Sequence, residues 1–250
     1  MPLASLMLQN GRPEKVLFYR GLESAGYKIA DSLVPKTIEP DDILVIWNRL
    51  PTMDETAKQY EDAGARVVVA EHGWIGENTF SLCLNQHNGA GTWRVGAESR
   101  WPGFGIEVRP WRKSGDYVLV IPQRGIGVPP VAMPRNWREQ TMNRLSAITD
   151  RPIRIRYPQD RIHPIWPEFE DCHCAVIWAT GAGIKALTYG IPVFYEMPYW
   201  IGRLAATYGI GDLEKPYLGD RDLMFKALSW AMWKSDEIES GEALRWLLQR

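Results

Sequence analysis

Short apolar runs alternate with stretches of helical composition along most of this chain, and that alternation limits the folds open to it. The runs KVLFY (15–19), DDILVIWN (41–48) and ARVVVAE (65–71) are rich in Val, Ile and Leu, as strands buried on both faces of a parallel sheet are. Between the second and third lies PTMDETAKQYEDAG, with Asp54 and Glu55 near its start and Gly64 just past its end, the marks of a helix. The grammar repeats in YVLVIP (117–122), NWREQTMNRLSAITD (136–150), PIRIRYP (152–158), AVIW (175–178), a helical pattern after TGAG, and IPVFYE (191–196). This order predicts an α/β fold with parallel sheets and helices on both faces.

The rhythm breaks over residues 75–115, which are rich in Gly, Asn and Trp and show no sustained period. The join between two α/β halves is expected near the end of that segment, giving domains 1–113 and 114–250. From Leu223 onward, apolar residues at helical spacing predict one or two closing helices. At 250 residues and 45% hydrophobic side chains, the chain has core material for one large domain or two small ones. Lys plus Arg (29) nearly balances Asp plus Glu (30), so no global basic field draws in nucleic acid. Cys83, Cys172 and Cys174 make no disulfide framework. No apolar run approaches the roughly 18 residues of a membrane span, and MPLASLMLQNGRPEK lacks the regions of a signal peptide. These features predict a cytoplasmic protein without membrane contact; the oligomeric state is not legible.

Parallel α/β sheets bind ligands beyond the carboxyl ends of their strands, where helix N-termini present unpaired N–H groups. Thr180, Gly181, Ala182 and Gly183 stand at such a junction, as a cradle for phosphate or as a tight turn with a threonine cap. A second glycine-spaced loop, PQRGIGVPP (122–130), brings Gln123, Arg124 and Gly125 to the end of another strand. PIRIRYP then sets Arg154 and Arg156 two apart on one strand face, and guanidinium forks match phosphate oxygens.

The order YVLVIPQR, a tryptophan-containing helix, RIRYP, CAVIWATGAGIKALTYGIPVF resembles the donor-binding half of glycosyltransferases with two Rossmann-like domains facing across a cleft, the GT-B fold. It is most similar to the capsule-type and phage-encoded branches. LVIWNR and GARVVVAEHGW resemble the acceptor-side half, so the likeness covers most of the chain. It implies a metal-independent transfer from a nucleotide diphosphate sugar, with no other cofactor. Residues 123–125, Arg154, Arg156, 180–183 and Lys185 would hold the donor. Two positions depart from the family pattern: Tyr157 stands where His often precedes Pro, and Lys185 where Glu often precedes Ala-Leu. That glutamate commonly binds ribose hydroxyls in relatives; Lys185 would contact a phosphate or face solvent.

Sugar transfer needs a stabilised leaving group, a positioned hydroxyl and, for inversion, a base. Glu71 and His72 follow the third strand of the first half and are the candidates for the base, the choice between them open. The acceptor-side candidates are Trp74, then Asn85, His87 and Asn88 in a polar loop, then Arg94 and Trp101 in TWRVGAESRWPGFGIEVRPWRK. That last segment interleaves arginines with aromatics, as nucleic-acid contact or as packing between domains. Asp171, Cys172, His173 and Cys174 precede a strand without a partner cluster, so zinc is not expected; residues 220–222 (Asp-Arg-Asp) suit helix capping, and His163 lies near the arginine strand. A hydroxymethylated pyrimidine in DNA is the preferred acceptor and a surface-glycan precursor the alternative. A noncatalytic nucleotide- or glycan-binding protein and an epimerase of the same fold are the rivals.

Overall fold

A computed structural model of the chain describes residues 1–8, 13–32, 34–86 and 89–249. They form two compact units, Met1–Ser99 with Ser229–Arg250, and Arg100–Leu228. The first unit opens with β1 (Leu3–Met7), α1 (Pro13–Ser24), β2 (Lys28–Ile29), β3 (Ile43–Trp47), α2 (Pro51–Asp62), β4 (Arg66–His72) and β5 (Thr79–Leu84). The second contains β6 (Tyr117–Ile121), α3 (Trp137–Ile148), β7 (Ile153–Ile155), β8 (Cys172–Ile177), α4 (Gly181–Thr188), β9 (Val193–Tyr195) and β10 (Thr207–Tyr208). Helix α5 (Asp222–Ala231) carries the chain back to the first unit, which ends in β11 (Met232–Lys234), α6 (Ser235–Glu239) and α7 (Glu242–Leu248).

The two sheets are wound alike. Their orders are β11-β5-β4-β3-β1-β2 and β10-β9-β8-β6-β7. In each, the first strand is flanked by the second and the third, all parallel, which is Rossmann-like winding. The second sheet is wholly parallel, whereas β5 runs antiparallel to both its neighbours in the first.

Strand alternation divides the first unit's core into two layers. Val45, Val68 and Ala70 pack with Phe18 and Leu22 of α1 and Leu244 and Leu247 of α7. Leu44, Ile46, Val67 and Val69 pack with Ala57 and Tyr60 of α2. In the second unit Val118, Val120, Val176 and Phe194 lie against Trp137 and Leu145 of α3, and α4 covers β8 and β9.

Three expectations about the elements are corrected. KVLFY belongs to α1: Phe18 and Leu22, one turn apart, are buried while Val16 and Tyr19 are exposed, a helical period. The opening strand is instead the upstream LASLM of β1. Residues 79–84 are a strand within the segment read as irregular, since TFSLCL pairs with β4 and is buried through Cys83. The tail supplies a strand besides its helices. Met232 and Trp233 pair with Ser81 and Phe80, and the apolar face of α7 fills the α1 side of the first core. Residues 229–250 therefore belong with the first sheet, and the change of unit falls at 99/100, where 113/114 was expected.

Helices α1 and α6 touch at Gly21, where a Cβ would collide with the Ile238 carbonyl oxygen. A backbone atom cannot swing aside, so Gly21→Ala should destabilise the protein by about 1–3 kcal/mol. The measurement is urea unfolding, with a lower midpoint at unchanged slope.

Candidate functional site

Strands β6 and β8 are neighbours, yet the connection from β6 leads to β7 on one side while β8 lies on the other. A strand order that reverses in this way opens a crevice at the carboxyl edge. Gln123, Arg124 and Gly125 leave β6 there, and residues 178–183 leave β8. Gly125 has φ 69°, a left-handed conformation that glycine adopts without strain. The Trp178 indole donates to the Val131 carbonyl at 2.9 Å, and the Gln123 amide to the Met133 sulfur at 3.3 Å. The first bond ties the loop after β6 to the end of β8, and the second closes that loop on itself.

Thr180 is the N-cap of α4, with extended φ −141° and ψ 151°. Its Oγ1 accepts from the Ala182 amide at 3.3 Å, and its carbonyl accepts from the Gly183 amide at 3.0 Å. Two of the helix's first amides are thus satisfied inside the turn, leaving the Gly181 amide and the positive helix end to act on an anion. Gly183 has a packing reason, because a Cβ there would lie 2.6 Å from Ile177 Cδ1 and 2.7 Å from a Trp200 ring carbon. Its absence lets α4 settle onto β8 with its N-terminus at the crevice. Gln123 Oε1 is buried at the same edge without a hydrogen-bond partner among the described residues, an acceptor awaiting a donor.

The two arginines expected to converge on one anion have different partners. Arg154 is exposed and lies 3.8 Å from the centroid of the Tyr117 ring, at the opposite, amino end of β6. Arg156 is 7% exposed and donates to Glu168, to the Asp160 carbonyl at 3.0 Å and to the His163 carbonyl at 2.5 Å. It fastens the loop carrying the short helices Pro158–Ile162 and Trp166–Phe169. Tyr157 caps the first of these, and its hydroxyl accepts from Arg138 at 3.5 Å. Lys185 is half-buried, with its ammonium 5.9 Å from the Trp166 centroid. Burial, then the Arg156 charge, pushes its pKa below the ordinary lysine range. Sequence reasoning passed over Glu196, at the end of β9. It accepts from Trp137 at 2.6 Å and from both Arg144 terminal nitrogens at 2.6 and 2.8 Å, fixing α3 to the carboxyl edge. A charged residue just past a buried strand was the available signal.

In the first unit Glu71 and His72 close β4, and alternation sends them to opposite faces. Glu71 lies on the α2 side with Cys83, whose thiol pKa is raised by burial and then by the Glu71 carboxylate. His72 lies on the α1 side at the exposed edge, 4.8 Å from Trp47 and 6.3 Å from Phe80 between ring centroids. Trp74 is buried, 7% exposed. Asn85 ends β5, and its amide donates to the Val67 carbonyl at 2.8 Å. It thus occupies the amino edge of β4, opposite to His72. His87 and Asn88 lie outside the described residues.

The arginine and tryptophan segment is bound within each unit. Arg94 lies 4.7 Å over the Trp246 ring, whose indole donates back to the Arg94 carbonyl at 3.1 Å. In the other unit Trp101 is buried and stacked 4.2 Å from Phe225. Cys172, His173 and Cys174 are buried within β8 instead of preceding it. No group of three potential metal ligands occurs among the described residues. Asp220 Oδ1 accepts from the Asp222 amide at 2.9 Å at the start of α5, and His163 is exposed.

No protein-family model matches this sequence. No curated protein matches it either. Two solved structures from Thermosulfurimonas dismutans are similar in fold. The first, described as KpsC, beta Kdo 2,7 transferase, has a TM-score of 0.57 at 11% identity over 98% of this chain and 99% of that one. The second, described as KpsC, beta Kdo 2,4 transferase, has a TM-score of 0.56 at 11% identity over 93% and 91%.

The two arginines should separate in stability measurements. Arg156→Ala removes the donor to three acceptors and should cost about 2–3 kcal/mol in chemical denaturation. Arg154→Ala loses an exposed cation–π contact and should cost no more than about 1 kcal/mol.

Proposed function

We propose that this chain is a glycosyltransferase of the GT-B type, moving a sugar from a nucleotide diphosphate sugar to a hydroxyl of a surface-glycan precursor. The carrying observation is the end-to-end likeness in fold to two structures whose descriptions are sugar transferases, with both units included in the match. In this reading the crevice between β6 and β8 takes the donor, and the positive end of α4 faces the leaving phosphate. Residues 123–125 line the same edge, where Gln123 offers its buried oxygen to a donor hydroxyl or amide. The charge that develops on the leaving group is balanced by helix end and side-chain cations without a metal ion.

The acceptor proton goes to one residue of the pair closing β4, since side chains on opposite faces cannot serve one hydroxyl together. His72 is the better placed of the two: its ring is exposed and held edge-on by Trp47, and imidazole suits base work near neutral pH. Glycan is preferred over DNA as acceptor because Arg94 and Trp101, the residues that favoured nucleic acid, are occupied in packing within their own units.

The test is product formation from a panel of nucleotide sugars, with glycan precursors and hydroxymethylated DNA as acceptors. His72→Ala should lower kcat by about 100-fold or more with donor affinity retained, and Glu71→Gln should do far less. Transfer to DNA with a steep loss of binding in salt would restore the DNA acceptor. Donor binding without any turnover would leave a noncatalytic binding protein, and sugar isomerisation without an acceptor an epimerase.

A further inference from the structure

Helix α4, whose N-terminus stands at the proposed donor crevice, carries a positive charge that the protein itself leaves uncompensated. Lys185, on the second turn of α4, is half-buried, and its ammonium has no hydrogen bond or ion pair among the described residues. Its contact is the face of Trp166, 5.9 Å away, an indole that stacks on Tyr189 at 5.6 Å and is 38% exposed.

Glu168, Arg156, Glu170 and Arg109 each have partners of their own. Glu168 is bound to Arg156, and Arg156 also holds the Asp160 and His163 carbonyls. Glu170 accepts from the Tyr189 hydroxyl at 3.1 Å, and Arg109 lies 3.6 Å over the Tyr189 ring. An ammonium drawn partly out of water without a carboxylate partner of its own raises the free energy of the empty protein. An oxyanion relieves that cost, whereas a neutral diol supplies no charge to offset it.

We infer that Lys185, over the Trp166 face, forms an oxyanion subsite that takes a phosphate or carboxylate group of the bound ligand. The inference rests on the donor-side reading of the second unit and narrows it. The ligand of this chain accordingly carries an anionic group there.

The experiment is calorimetric titration of the full chain at low salt with three probes: inorganic phosphate, a nucleoside 5′-monophosphate and a uronic acid. Each is run on the native protein, Lys185→Met and Lys185→Glu. The expected result is at least a tenfold loss of affinity in Lys185→Met and a larger loss in Lys185→Glu. Native affinity should also fall as the amine deprotonates, at a pH below the ordinary lysine range. Dependence on Lys185 for the phosphate probes alone assigns a phosphate, and dependence for the uronic acid a carboxylate. Nucleotide binding that is unchanged in both variants overturns the subsite while the donor reading stands. Lys185-dependent binding of inorganic phosphate with no affinity for the nucleoside 5′-monophosphate leaves the subsite and removes the donor reading. A readout on the native chain covers misfolded variants: phosphate should protect Lys185 from reductive methylation more than exposed Lys36, and equal protection overturns the subsite.

Discussion

The parallel hydrogen bonding of β6 to both β7 and β8 governs the second unit. Parallel partners cannot be joined by a tight turn, so each connection passes over a face of the sheet, and strands thus covered on both sides bury their side chains on both faces. YVLVI and CHCAVI are buried at every position for that reason. The reversal of direction between the two connections leaves an uncovered gap at the carboxyl edge. Gly183 then determines how closely α4 approaches the gap, since any side chain there would meet Ile177 and Trp200.

Around that gap the protein uses its charges unevenly. Arg156 and Arg144 are saturated by Glu168 and Glu196 with neighbouring acceptors; they fix loop 158–170 and α3 and have little left for a ligand. Lys185 and the Gln123 side-chain oxygen show the opposite character, poorly satisfied by the protein and set on the helix that follows β8 and in the loop that follows β6. Completed polar groups build the frame of the site, and incomplete ones mark where a ligand would complete it.

Much of the fold was legible. The runs of β3, β4, β6 and β8 are long, apolar and bounded by turn residues, and α2 and α3 have strong helical composition, so local pattern and tertiary role agree. KVLFY misled because four consecutive apolar and aromatic residues suit a strand as well as the buried stripe of a helix. TFSLCL was missed because Thr79 and Ser81 interrupt its apolar run, and their burial and pairing with Lys234 and Met232 depend on a strand from the far end of the chain. Among site residues, the opposed directions of Glu71 and His72 were readable from strand alternation alone. The partners of Arg154 and Arg156 were not, because they come from Tyr117 and from a loop whose path no local pattern records. The position of Asn85 followed only once β5 was known to run antiparallel.

The return of the tail to the first sheet has a consequence for the order in which the molecule is made. The second unit is one uninterrupted stretch, so a growing chain contains everything it needs by the time α5 emerges. The first unit, although synthesised earlier, lacks β11 against β5 and α7 against α1 until residues 232–248 arrive. Domains tend to fold as units while the chain is being made, so the later half matures first and the earlier half waits with Phe18, Leu22 and Phe80 incompletely covered. Chaperones that guard apolar surface would accordingly meet the amino-terminal half of this chain for longer than the half that follows it.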